Sequence, residues 1–270
     1  MTADFSLNFI AMKKYQIYGG LAIIFLVLTY FLPIWWVALQ SHQYPKSMYP
    51  DGIRIEFKYN GVYNGCEGQK EREELASGQA GADCLVEMNA INHFIGMYRI
   101  TQGRNRDKSL TYPVYYVFDT KKDASGNEII DPATGSAIKI NVTPKFLKFL
   151  DGLMIYSPYL FVILGLLGLV FVFTPKKVNL FFAIVPALLP FYFLIMYIIG
   201  LYWYGHHLAL HGGGAFEGIK EFMPTVFGEG KVAQFTTMSY PYAGFFIALA
   251  VFVLFILAIL VKRKSLRTSG

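Results

Sequence analysis

The sequence predicts an α-helical polytopic membrane protein with four transmembrane helices and a small β-rich extracytoplasmic domain, and three observations carry that expectation. The chain of 270 residues is 54% hydrophobic and only 16% charged, too apolar for an ordinary soluble protein of its length. Its apolar residues gather into four runs, each near the roughly 20 residues that cross a hydrocarbon core. Between the first two runs lies one long polar segment, in which strand-like alternation replaces the apolar blocks.

Taken in order, residues 1–16 are expected in the cytoplasm and 17–39 as the first span. Lys13 and Lys14 before an apolar stretch imitate a signal peptide, but the stretch is too long and ends in Trp35-Trp36 rather than at small residues. It reads as a retained helix with an aromatic anchor at its far interface. Further spans are expected over 153–173, 178–204 and 242–261. The short turn 174–177, Thr174-Pro175-Lys176-Lys177, and the tail 262–270 with Lys262-Arg263-Lys264 are both basic. Basic short loops stay in the cytoplasm, so both termini are placed there and residues 40–152 and 205–241 on the opposite side. The formal net charge of +6 sits mostly beside apolar runs, as a topology signal does, and nucleic acid is not expected as a partner.

Within 40–152, Ile53, Ile55, Phe57 and Tyr59 alternate with polar residues before Asn60-Gly61, a strand running into a tight turn. Val114-Tyr115-Tyr116-Val117-Phe118 leads through Asp123-Ala124-Ser125-Gly126-Asn127 towards Ile138-Lys139-Ile140-Asn141-Val142, a second hairpin with a long polar tip. Farther on, the segment from Phe222-Met223-Pro224 to Met238 is apolar for a solvated loop and is expected to pack on this domain or lie in the interface.

Cys66 and Cys84 both fall in this domain. In an oxidising periplasm they make a disulfide candidate; the other use of such a pair is as thiolate metal ligands, though the spacing matches no zinc knuckle and no C-x-x-C motif. All five histidines, His42, His93, His206, His207 and His211, lie on the same side as the cysteines. His93 and Met97 stand four apart, an imidazole and a thioether that together suit copper, or else a gap-filling Met beside a hydrogen-bonded His. His207 and His211 are also four apart, just before Gly212-Gly213-Gly214. If the third span runs on that far, both share a helical face and can hold one ion, with His206 pointing elsewhere; otherwise they are solvated residues at a helix end. No nucleotide-binding, serine-hydrolase or zinc-protease motif is present, and the expected span interiors contain no ionisable residue, which disfavours pumps and proton-coupled carriers.

Asn92-His93-Phe94-Ile95-Gly96-Met97, with Tyr49-Pro50-Asp51-Gly52-Ile53 upstream and Phe222-Met223-Pro224, Phe227-Gly228 and Ser239-Tyr240-Pro241 downstream, resembles a group of bacterial membrane proteins. Their usual pattern is a Tyr-Pro-x-Gly-Leu strand followed by Asn-His-Tyr-Ile-Gly-Met, and they accompany nitrous-oxide reductase accessory and other copper-enzyme systems. The likeness implies copper-related work, carried onto His93 and Met97. This chain has Phe94 where Tyr is usual, and a long insertion that holds both cysteines.

The expectation is therefore a non-enzymatic accessory protein of the bacterial inner membrane, with the bilayer and a periplasmic or membrane cuproenzyme as partners. It would bind copper through His93, Met97, His207 and His211. The alternative is a structural subunit of a larger respiratory or oxygenase membrane complex that binds no metal itself.

Overall fold

Residues 13–41, 52–64, 100–101, 118–142, 144–174, 180–207, 220–232 and 235–268 are described by a computed structural model of the chain. The chain divides into two units, one made of Met1–Leu32, Pro158–Ile195 and Ala243–Gly270, the other of Pro33–Ser157 and Met196–Tyr242.

The first unit is helical. It contains α1 (Lys14–Phe31), the later part of α2 (Lys145–Phe173), α3 (Leu180–Ala187), the start of α4 (Leu189–Gly205) and α5 (Ala243–Thr268). Three of these, α1, α2 and α5, are long and apolar enough to cross a membrane, and α3 with α4 makes a fourth crossing if the bent pair is one span. Large apolar side chains such as Phe31, Leu166 and Leu257 point outward, while small residues such as Ala22, Ala248 and Ala258 are buried between helices. That is the arrangement expected where lipid, not water, surrounds the bundle. Gly168 is one such close approach: a Cβ there would lie 3.0 Å from Ile23 and 3.1 Å from Phe255.

Two expected spans take a different form. The first was expected over 17–39, but α1 stops at Phe31 because Leu32 precedes Pro33 and adopts an extended φ of −94° and ψ of 147°. The aromatic and β-branched run that follows is a strand, β1 (Trp35–Gln40). The third, expected over 178–204, is broken at Leu188, where α3 and α4 bend by 41°. Pro190 has no N–H for the carbonyl of Pro186, so the helical ladder is interrupted there. The last span was expected over 242–261; α5 begins at Ala243 and runs past Val261 through the whole basic cluster.

Lys262, expected to be a tail residue, is buried with 1% exposure. Its Nζ donates to the carbonyls of Phe171 at 2.6 Å and Thr174 at 2.5 Å, and it lies over the rings of Phe171 and Tyr15. The last carbonyls of any helix lack partners within it. A lysine from α5 satisfies two of them at the end of α2.

In the second unit a six-stranded sheet runs in the order β4-β3-β2-β1-β8-β7. Its strands are β1, β2 (Ile53–Lys58), β3 (Gly61–Asn64), β4 (Ile100–Thr101), β7 (Gly228–Val232) and β8 (Phe235–Pro241). The β2 to β3 hairpin turns at Tyr59-Asn60, as the Asn60-Gly61 signal predicts. β1 sits between β2 and β8, antiparallel to both, so that Trp35 faces Phe57 on one side and Pro241 on the other. The 222–238 segment expected to pack as an apolar loop therefore contributes two strands. Gly52 precedes β2 with φ +71°, and a Cβ there would lie 2.6 Å from the Leu39 carbonyl oxygen, so the tight approach of this turn to β1 needs glycine.

Period-two alternation gives the sheet two chemically distinct faces. Trp35, Ile55 and Val62 are buried on one; Trp36, Arg54, Glu56, Lys58 and Tyr240 lie on the other by register. A two-stranded ladder, β5 (Phe118–Thr120) with β6 (Lys139–Asn141), forms the expected second hairpin, extended by bridges Lys122 to Glu128 and Ile130 to Ala137. Two aspartates fold its tips: Asp123 accepts the N–H groups of Ser125 and Asn127, and Asp131 that of Ala133.

Candidate functional site

Helix α4 ends at Gly205, and the chain delivers His206 and His207 immediately beyond it. Each imidazole folds back on its own helix. His206 Nδ1 is 2.8 Å from the Tyr202 carbonyl oxygen and His207 Nδ1 is 2.7 Å from that of Trp203. A carbonyl only accepts, so Nδ1 carries the proton in both rings. In a neutral ring this leaves the Nε2 lone pair available, the arrangement in which a backbone acceptor orients a metal-binding histidine. The rings are also stacked, His206 on Tyr202 at 3.9 Å and His207 on Trp203 at 4.3 Å, and Phe146 packs against Trp203 at 5.3 Å. His207 is exposed and His206 half-buried.

The helix terminus is held in turn by the segment before β7. Phe222 donates its N–H to the Gly205 carbonyl at 3.2 Å, and a Cβ on Gly205 would collide with the Phe222 carbonyl and approach Pro224 at 2.9 Å. Gly205 thus has a steric reason to be glycine, and the two histidines inherit a fixed position from it.

Of the four expected metal ligands, His93, Met97, His207 and His211, His207 alone lies among the described residues. The helix expected to carry His207 stops at Gly205, two residues before it, and the expected partner His211 lies outside the described residues. His206, expected to point elsewhere, has the same backbone anchor as its neighbour. His42, His93, Met97, His211, Cys66 and Cys84 lie outside the described residues. Among the described residues no group of three or more His, Cys, Asp or Glu side chains is arranged to hold a metal ion. Imidazole nitrogen is a donor that suits zinc, copper, iron and nickel alike.

Two features escaped sequence reasoning. Asp151 was placed just outside the second span, but α2 begins at Lys145 and carries this carboxylate in its second turn with 2% exposure. Only the position of Pro144, a residue that favours helix starts, marked the earlier beginning. Arg54 was counted as a polar strand residue; its guanidinium lies between the rings of Trp36 and Tyr242, at 4.8 and 4.9 Å. No local sequence signal brings residues 36, 54 and 242 together.

Comparison with known proteins finds no matching family model, no matching curated protein and no matching solved structure.

Proposed function

We propose that this chain is a non-enzymatic, multi-pass protein of the bacterial inner membrane that holds copper on its extracytoplasmic side for a cuproenzyme. The observation that carries the reading is the shared geometry of His206 and His207, each with Nδ1 committed to a backbone carbonyl and Nε2 left to bind. The likeness of Asn92-His93-Phe94-Ile95-Gly96-Met97 to copper-associated membrane proteins supplies the metal. His93 and Met97 would add a third imidazole and a thioether, a soft set that favours Cu(I). The basic turn 174–177 and the basic end of α5 support a cytoplasmic position for both, with the sheet on the other side.

Elemental mass spectrometry on the detergent-purified full chain tests the reading, before and after reconstitution with Cu(I). About one copper per chain, lost in His206→Ala with His207→Ala and in His93→Ala with Met97→Ala, is the expected result. An unchanged copper content in both double variants would sink it.

One observation favours a second reading, a structural subunit of a larger membrane complex. Ile130, Ile140 and Val142 are exposed on the β5 to β6 hairpin and its exit, an apolar surface that a neighbouring subunit would cover. A stable stoichiometric assembly on mild detergent extraction, without metal, would replace the copper reading with this one.

A further inference from the structure

Arg54 presents donors that nothing described accepts. The Arg54 side chain is largely withdrawn from solvent, with 18% of it exposed. Nε and Nη2 have no hydrogen-bond partner among the described residues, although both are shielded from water. Nη2 stands 3.4 Å from Glu56 Oε1, an ion pair too long to serve as a good hydrogen bond. Trp36 and Tyr242 contribute only their ring faces, which attract the cation without satisfying its N–H groups. The two orphaned donors share one edge of the guanidinium, the edge that takes two oxygens of a carboxylate or phosphate side by side.

The side chain also leans in a telling direction. Its backbone pairs with Ala38 in β1, yet its guanidinium reaches Trp36, nearer the end of α1, and Tyr242, the residue immediately before α5. Arg54 therefore points along the sheet towards the residues where the chain passes into two apolar helices. Trp and Tyr at such junctions mark the headgroup layer of a bilayer, and long cationic side chains reach for it. Glu56, at 23% exposure beside Arg54, offers a carboxylate next to the guanidinium, and such a pair suits a ligand carrying both signs better than a purely anionic one.

We propose that Arg54 and Glu56, framed by Trp36 and Tyr242, bind a phospholipid headgroup that carries a phosphodiester and a primary ammonium, the chemistry of phosphatidylethanolamine. Two phosphate oxygens accept from Nε and Nη2, and the ammonium donates to the Glu56 carboxylate. A trimethylammonium headgroup has no N–H to donate. A glycerol headgroup leaves Glu56 facing only negative charge. The proposal stands apart from the copper reading and shares no residue with it.

The test is native mass spectrometry of the delipidated full chain, titrated with phosphatidylethanolamine, phosphatidylcholine, phosphatidylglycerol or inorganic phosphate. Phosphatidylethanolamine is expected to bind at least about tenfold more tightly than the other two lipids, and millimolar phosphate is expected not to displace it. Arg54→Met should weaken it roughly ten- to a hundredfold, the scale of a lost charge-assisted hydrogen bond. Glu56→Gln, nearly isosteric, should abolish the preference over phosphatidylglycerol while leaving a bound lipid, and it decides the matter alone if Arg54→Met fails to fold. Equal binding of all three lipids, or undiminished binding by Arg54→Met, overturns the proposal; displacement by inorganic phosphate overturns it in favour of a soluble anion.

Discussion

Trp35 donates its indole N–H to Ser239 Oγ over 2.8 Å, joining residues 204 positions apart in the chain. Ser239 is fully buried, and its own proton goes to the Val226 carbonyl at 2.7 Å. A hydroxyl has one proton to give, so the contact with Tyr197 at 2.9 Å has the phenol as donor. Ser239→Ala strips an acceptor from two buried donors and a donor from one carbonyl. A loss of about 1–3 kcal/mol is expected for the broken buried contacts, because Trp35 and Tyr197 keep each other as partners. All three tryptophans, Trp35, Trp36 and Trp203, lie in this unit, so indole fluorescence during denaturant unfolding reads it directly; a change below about 1 kcal/mol would mean water replaces the serine without cost.

Gly205→Ala is expected to cost about 1–3 kcal/mol, the range for overpacking at a close backbone approach, because the new methyl meets the Phe222 carbonyl. Gly200→Ala, with open space around the added carbon, should be neutral or slightly stabilising in the same helix. Thermal midpoints of the two variants in one detergent compare them; equal shifts would remove the steric argument.

Lys262→Met keeps most of the stem but leaves the carbonyls of Phe171 and Thr174 without their ammonium donor. A loss of about 1.5–3 kcal/mol is expected for a charge-assisted contact of this kind. Arg263→Met, one residue on and exposed, removes the same charge from the same helix end and should change stability by less than about 0.5 kcal/mol. Similar effects from the two would mean that Lys262 acts through charge alone.

Asp123 accepts the backbone N–H of Asn127 at 2.9 Å and of Ser125 at 2.8 Å, and the Asn127 bond is the leading reason its carboxyl titrates below the ordinary range. Folding that lowers a carboxyl pKa contributes stability above the unfolded value, about 3.9, and loses it as pH falls through the lower folded one. The Asn127 amide resonance in NMR should therefore titrate with a midpoint below that of a free aspartate, and the titration should vanish in Asp123→Asn. A midpoint at the free value would show the tip is not held by this carboxylate.

Residue type and local order made part of this architecture legible. Alternation at Ile53, Ile55 and Phe57 before Asn60-Gly61 marked the β2 to β3 hairpin, and four apolar blocks marked the helices. β1 was hidden because Trp35 to Leu39 continues the hydropathy of α1 without a gap, and only Pro33 separates them. β8 was hidden for the opposite reason: its buried positions, Thr237 and Ser239, are polar, so its inward face carries no apolar signal. The hydroxyls are tolerated because each has a partner, Thr225 for Thr237 at 3.0 Å and the Trp35 group for Ser239, and such partnerships depend on tertiary contact. The same limit applies to His206, whose anchoring carbonyl could be named only once the end of α4 was known.

The position of β1 between β2 and β8 also bears on how the protein is made. Strands β1 to β3 leave the ribosome early, whereas the partner for the other side of β1 is encoded some 204 residues later. At about 5–20 residues per second, the growing chain carries an open strand edge for roughly 10–40 s. Truncation before residue 235 leaves that edge open permanently, a template for pairing with another chain.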